Sequence, residues 1–272
     1  MTVQMPDVPL PTVVSVISIT YRDIDGLRRT IASVSKQKTS ELVQIEHVVV
    51  DGAADPAVVA LGQGSGARVI SEPDRGRYDA MNKGMKAATG DVLWFLHAGD
   101  TFGSERSVMD ALRYVEQPRQ EWGYGMARRV RSDGSLEGFF GYAPFNLRRF
   151  SLGGKPLPHQ ACFFGADLLA GMPPYSLQHG IAADQLFILE AAKRRPPTVV
   201  PEFLCDFDAG GMGSHRGVHE HFRDMRRASK ATGVSFSGHR FVDVCASWFF
   251  EAIETVARRR EPTQREANAM PL

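Results

Sequence analysis

Cysteine is scarce in this sequence: Cys162, Cys205 and Cys245 stand far apart among 272 residues, odd in number and without a C-x-x-C pair. That spacing argues against a disulfide framework and supplies no zinc or redox motif, so the three are expected as reduced thiols of a cytoplasmic protein. An excess of one charge is also lacking. Lys plus Arg total 32 against 31 for Asp plus Glu, a balance that gives no electrostatic reason to expect a nucleic acid partner. Long apolar runs are missing too. Thr12 to Ile19 is apolar, but no basic residue precedes it and no small-x-small cleavage site follows, and no run approaches the about 18 residues needed to span a bilayer. Any membrane is therefore expected to be met from its inner face, at the surface.

What is present is an alternation of strand and helix patterns. Val13 to Thr20 and Ile45 to Val50 are β-branched runs, with a helical pattern at Leu27, Ile31 and Val34 between them. Arg68 to Ile70 adds a short strand, Tyr78 to Ala88 a helix with Met81, Met85 and Ala88 on one face, and Val92 to Leu96 another strand. Such alternation implies an α/β fold: a single Rossmann-like domain with a mostly parallel central sheet flanked by helices. Ligands in such sheets bind beyond the carboxyl ends of the strands. Gly123 to Gly154, rich in Gly, Phe and Arg, reads as hairpins and loops. Asp184 to Ala192 is helical and ends in Lys193, Arg194 and Arg195 before Pro196-Pro197. Residues 208 to 217 hold four glycines and read as a mobile loop. A last helix, Val242 to Arg260, carries Trp248, Phe249 and Phe250 and a basic end. The expected division is a domain over 11–235 and C-terminal helices with a disordered tail over 236–272.

Asp51-Gly52 and His97-Ala98-Gly99-Asp100 both fall at strand ends, where a parallel sheet presents its ligand site. A carboxylate in such a cleft suits Mg2+ or Mn2+, hard cations that take oxygen ligands and keep substrate phosphates in their shell. Breaking a sugar-diphosphate bond needs that neutralisation. It also needs a base for the attacking hydroxyl, and Asp184, on a separate segment, is a candidate. Each acid has a plainer reading as well. A strand-end Asp serves turns and caps, and Asp184 sits where it can cap its own helix.

The stretch Ser71-Glu-Pro-Asp-Arg-Gly-Arg-Tyr-Asp-Ala-Met-Asn-Lys-Gly-Met-Lys-Ala-Ala-Thr-Gly-Asp-Val-Leu-Trp-Phe-Leu-His-Ala-Gly-Asp100 resembles family 2 glycosyltransferases. Val16 to Tyr21 and Val48-Val-Val-Asp-Gly52 upstream, and Pro158-His-Gln-Ala-Cys-Phe-Phe164 and Ile181-Ala-Ala-Asp184 downstream, follow in the family's order. The resemblance covers about residues 13 to 215. It implies the GT-A fold and an inverting glycosyltransferase that moves a sugar from a nucleotide-diphosphate sugar to a glycan or glycolipid hydroxyl, in cell-envelope synthesis. It further implies that Thr20, Tyr21, Asp51 and Arg77 to Asn82, including Tyr78 and Asp79, line the nucleotide pocket together with His97, Ala98 and Gly99. Asp100 resembles the last, metal-binding acid of the family's Asp-x-Asp element, taking Mn2+ or Mg2+, and Asp184 its catalytic base. His159 and Gln160 fall where the family shapes the donor and acceptor pocket. The sequence departs from the family where Gly99 replaces the first acid, His97 a common Asn, and Arg22 a frequent Asn.

Several features invite other readings. Gly62-x-Gly64-x-Gly66 lacks the spacing and the helix of a dinucleotide loop. His215, His219 and His221 are open to a solvated-loop reading, or to His215 joining the metal as residues near Gly210 to Gly213 close over the donor. The basic end of the last helix, Arg258 to Arg260, fits either a helix docked on the domain or one touching anionic lipid. Two rival functions stand beside sugar transfer. A sugar-nucleotidyltransferase would want a basic, glycine-rich triphosphate loop near the first strand, and residues 20 to 30 hold none. A non-catalytic sugar or nucleotide-binding module would have no use for both Asp100 and Asp184.

Overall fold

In the computed structural model the described residues are 11–131, 133–153, 156–178, 183–208 and 217–260. The first β-branched run forms β1 (Thr12–Thr20), and the chain turns into α1 (Ile24–Ser35), whose N-terminus is capped where the Gly26 N–H donates to the Asp23 carboxylate at 2.8 Å. Leu27, Ile31 and Val34 form its buried stripe. There follow β2 (Val43–Asp51), α2 (Pro56–Gly64) capped by Asp55 with Pro56 at its start, and β3 (Arg68–Ser71). Gly76, at φ +111°, turns the chain into α3 (Arg77–Ala87), and β4 (Val92–Phe95) completes the first half. These strands pair in parallel in the order β3-β2-β1-β4, as alternating strands and helices demand.

Successive residues of β4 serve opposite faces. Leu93 and Phe95 join a core with Ile17, Val50 and Met81, while Val92 and Trp94 join another with Val14, Val16 and Val34. Gly84 lets α3 approach closely, since a Cβ there would stand 2.4 Å from a methyl of Ile17.

The second half is mixed in direction. After β5 (Thr101–Phe102) and α4 (Ser107–Leu112), β6 (Trp122–Val130) and β7 (Leu136–Phe140) form the hairpin expected in the Gly-, Phe- and Arg-rich middle, followed by α5 (Leu147–Ser151). A single 3-10 turn, His159–Ala161, leads into β8 (Cys162–Gly165), which pairs antiparallel to β4 and β6 and so joins the two halves. Short α6 (Ala166–Ala170) precedes α7 (Ala183–Arg194), and β9 (Thr198–Asp208) runs parallel to β6 and antiparallel to β5. Two helices, α8 (Val218–Thr232) and α9 (Arg240–Arg260), follow. This is the expected α/β architecture. The strand pattern at Cys162 and the long strand ending at Asp208 are additions to the elements anticipated from periodicity. Most of the glycine-rich segment, with His215 and Gly210 to Gly213, lies outside the described residues.

Candidate active site

The turn after β4 carries the first group of polar side chains. Gly99 adopts φ +95°, a conformation that strains any residue with a Cβ. That gives a local reason for glycine at the position where the resembled family carries its first acid. Thr30 of α1, wholly buried, holds this turn: its hydroxyl accepts from the Gly99 N–H at 3.1 Å and lies 2.7 Å from the Asp100 carbonyl it can donate to. Nothing in the periodicity of α1 signals this role, because Thr30 reads there as one more core residue.

Asp100 is itself buried, at 6% exposure. Burial pushes its carboxyl up to about 7, against the opposing help of the Asp208 N–H and the Gln160 side chain, and the nearby Asp208 carboxylate adds to the upward push. Asp208, at the end of β9, is thus a second acid brought to Asp100 from 108 residues away. Arg29 of α1 reaches Asp208 at 3.9 Å. Sequence reading missed Asp208 because its strand was not recognised. Among the described residues no three His, Cys, Asp or Glu side chains gather as a closed metal cage. Two carboxylates brought near one another nevertheless supply the oxygen donors that a hard cation sharing its shell with phosphates takes.

A row of buried rings runs from this turn toward α7. The His97 and His159 rings lie 6.0 Å apart, and His159 Nε2 meets the Tyr175 hydroxyl at 2.7 Å. Tyr175 stacks on Phe187 at 3.9 Å and on Tyr78 at 5.9 Å. Burial, with a contribution from the Arg77 guanidinium, holds His159 down at about 3 and His97 well below its ordinary value, so both rings are neutral near pH 7. His97 Nε2 is shut off from solvent with no hydrogen-bond partner among the described residues. At the far end stands Asp184, in the first turn of α7, half-buried and accepting the Gln185 N–H at 2.7 Å. It lies near enough to raise the Tyr175 hydroxyl and the Cys162 thiol further, after burial has done most of that.

Two side-chain amides knit these segments by pairing with backbone as a strand would. Asn82 donates to the Tyr175 carbonyl at 2.9 Å and accepts its N–H at 2.8 Å. Gln185 does the same for Leu157, at 3.1 and 3.3 Å, which ties the His159-Gln160 turn to the start of α7. Gln185 was not singled out from sequence.

The remaining expected residues divide by what they touch. Tyr21 is 61% exposed beyond β1, with the Arg22 guanidinium 5.2 Å from its ring centre and Arg22 itself at φ +56°. Arg77 is half-buried, and Ala98 lies on the half-buried turn. Thr20 donates to the Asp23 carbonyl at 3.2 Å. Asp51 has no exposed surface, and its carboxylate accepts the N–H groups of Ala53 and Asp55 and the Ser71 hydroxyl at 2.6 to 2.9 Å. Asp79 is engaged by Arg75 at 2.7 Å, which holds its carboxyl below the usual range, and by Lys83 at 3.9 Å. His219 pairs with Glu251, and His221 Nε2 lies 3.1 Å from the Gly153 carbonyl, and neither joins a group of metal-ligating side chains among the described residues.

Residues 15–166 match the model of glycosyl transferase family 2, across the strands and turns that build this site. The chain belongs to that family. It is 46% identical over 223 residues to an uncharacterized glycosyltransferase of Mycobacterium tuberculosis, covering 80% of this chain and 82% of the relative. Two solved structures share the fold. TarS 1-349 of S. aureus, in complex with UDP-GlcNAc, superposes with a TM-score of 0.62 at 16% identity, over 85% of this chain and 69% of that one. The mannosyltransferase PcManGT of Pyrobaculum calidifontis, in complex with GDP-Man and Mn2+, gives 0.61 at 15% identity, over 95% and 78%. The fold is accordingly the GT-A fold, and the activity of this glycosyltransferase is sugar transfer rather than nucleotide-sugar synthesis or binding alone.

Proposed function

We propose that this glycosyltransferase displaces the nucleoside diphosphate of a nucleotide-diphosphate sugar by direct attack of an acceptor hydroxyl, with inversion at the anomeric carbon. The observation that carries the reading is the buried Asp100 carboxyl, raised to about 7 beside a second acid, Asp208, at the carboxyl end of the parallel strands. Asp100, with Asp208, would hold Mn2+ or Mg2+, and that cation would supply positive charge to the departing diphosphate. The Mn2+ in the mannosyltransferase neighbour supports this choice. Arg77, half-buried and close enough to His97 and His159 to lower both, would add a second positive charge there. Tyr21, Ala98 and Gly99 offer exposed or half-exposed surface to the nucleotide, while Thr20, Asp51, Tyr78, Asp79 and Asn82 shape the walls from within.

Asp184 takes the proton of the attacking hydroxyl. As the new oxygen to anomeric-carbon bond forms, the bond to the diphosphate breaks and its electron pair leaves with the phosphate oxygen. The base must therefore lie on the side of the sugar opposite the diphosphate. That Asp184 stands near Tyr175, whereas Asp100 lies on the His97 turn and the two are linked through His159, supports that division of labour. His159 and Gln160 border both halves, and the neutral His97 helps to wall the site beside them. The acceptor is a glycan or glycolipid hydroxyl of the cell envelope, a class that suits a near-neutral chain with no field for nucleic acid.

The test is a panel of UDP, GDP and dTDP sugars scored by thermal stabilisation with and without Mn2+, followed by the anomeric configuration of the product by NMR. A donor at 100 times its dissociation constant adds about 2.7 kcal/mol, enough to separate nucleotides. Stabilisation that needs Mn2+ and a product of inverted configuration are expected. A retained configuration would end the direct-displacement reading, and donor binding indifferent to the cation would end the role given to Asp100.

A further inference from the structure

Helix α9 is amphipathic in the wrong sense for a helix that covers a core. Three of its polar residues face its own protein, while Arg240 and Glu254 are exposed. Ser247 is buried at 2% exposure, Glu251 pairs with Arg226 at 2.6 Å and with His219, and Asp243 accepts the N–H groups of Phe236 and Ser237 at 3.0 and 2.9 Å. Its apolar residues face outward: Phe241 is 80% exposed, Trp248 61%, Phe249 65%, Ile253 48% and Val256 49%. With about 100° of turn per residue, these five positions fall within an arc of about 140°, continuous along a helix about 31 Å long. No other helix in the described chain exposes such a stripe, and a soluble surface seldom leaves one uncovered.

The distribution of charge chooses between occupants. Arg240 opens the helix and Arg258, Arg259 and Arg260 close it in sequence, while Asp243 and Glu251 are turned toward the domain. Two copies pairing through this stripe, parallel or antiparallel, would bring arginine ends together, which opposes association. An anionic bilayer complements both ends at once and receives Trp and Phe side chains at the depth of its headgroup boundary. Among the described residues no helix is long and apolar enough to cross a membrane, so contact through this stripe would be along the surface.

We propose that α9 lies flat on an anionic membrane surface, inserting the Phe241, Trp248, Phe249, Ile253 and Val256 face, and so holds this glycosyltransferase at the lipid interface. The proposal is independent of the reading of Asp100 and Asp184. It is tested with the full chain and no sugar substrate, by co-flotation with phosphatidylcholine vesicles with and without phosphatidylglycerol, and by Trp fluorescence. Trp94 and Trp122 are buried, so a blue shift on adding vesicles reports Trp248. Binding that requires phosphatidylglycerol, weakens with salt, shifts the emission, and falls by at least about tenfold in Trp248→Ser/Phe249→Ser is expected. Both positions are exposed, and the double variant loses only the Arg226 contact with the Trp248 ring at 5.9 Å and the Phe249–Phe250 ring contact, so its melting temperature should fall slightly and its nucleotide binding should match that of the parent. No binding to anionic vesicles, equal binding by the variant, or binding without an emission shift would overturn the proposal. So would a dimer in solution that the variant converts to a monomer, which would assign the stripe to a second copy.

Discussion

Two aspartates at the ends of strands that flank β1 are both hidden from water, and the protein uses them in opposite ways. Asp51, at the end of β2, spends its carboxylate on the turn that follows, taking two backbone N–H groups and the Ser71 hydroxyl. Asp100, after β4, also accepts hydrogen bonds, yet burial, with a smaller push from the nearby Asp208 carboxylate, drives its carboxyl up to about 7. The difference teaches that burial alone does not mark a functional acid. What marks Asp100 is burial that its hydrogen bonds do not offset, with a second acid from a distant strand adding to the upward push, so that a proton or a cation relieves it. The first region is a finished scaffold, whereas the second is a site with charge left to be balanced.

The comparison is sharpened first by Asp184, the acid at the far end of the ring row. Asp184→Asn keeps the shape and the acceptor for the Gln185 N–H but cannot take a proton. Turnover is expected to fall by roughly 100-fold to 10,000-fold with donor affinity unchanged, measured as kcat against nucleotide binding. Near-normal turnover with a stability loss of about 1 kcal/mol would return it to the role of a helix-end acceptor. The next effect belongs to the scaffold. Asp51→Ala strands three donors and should cost about 3 kcal/mol in urea unfolding, with Asp51→Asn losing less. If stability instead holds and nucleotide affinity drops, Asp51 contacts the base directly and the contrast with Asp100 fails.

Asp100→Asn probes the other side. A carboxyl whose folded value lies near 7, above its unfolded value near 3.8, binds more protons in the native state between those limits, so it costs stability as pH rises through that window. Without divalent cation, the Asn variant should therefore be more stable than the parent above pH 7 by about 1 to 2 kcal/mol, and no more stable below pH 4. Added Mn2+ should close that gap by stabilising the parent alone. A variant less stable at pH 8 would mean that the Asp208 and Gln160 hydrogen bonds outweigh the buried charge.

How far the sequence led follows from the same physics. The strands and helices of the first half were legible because local periodicity and strand ends specify them, and Asp100 and Asp184 could be named from motif and position. The surroundings that bury Asp100 and bring Asp208 to it were not legible. They depend on β9, whose mixed run Thr198 to Asp208 lacks clean alternation, and on β8 turning antiparallel to seat Gln160. Asp79 and Asn82 illustrate the converse. They fall inside the most family-like stretch, yet their side chains are bound to Arg75 and to the Tyr175 backbone, contacts that only the tertiary structure sets.

The smallest expected effect concerns Thr30, which links the scaffold to the charged turn. Its hydroxyl accepts the Gly99 N–H and is 2.7 Å from the Asp100 carbonyl, so it fixes the backbone from which the Asp100 side chain projects while touching no substrate-facing surface itself. Thr30→Val retains the shape and removes the hydroxyl. Stability should fall by about 1 kcal/mol, the usual net worth of a buried hydrogen bond, and the left-handed Gly99 turn should loosen. Looser placement of Asp100 should weaken Mn2+-dependent donor binding several-fold while metal-free nucleotide binding stays as it was. Thr30→Ser, which keeps the hydroxyl and removes a methyl, separates the two contributions, because it should restore the cation dependence while losing some packing. Equal loss of donor binding with and without Mn2+ in Thr30→Val would show that the hydroxyl supports α1 as a whole rather than the turn. The line between the finished scaffold and the unbalanced site would then have to be drawn on the far side of Gly99.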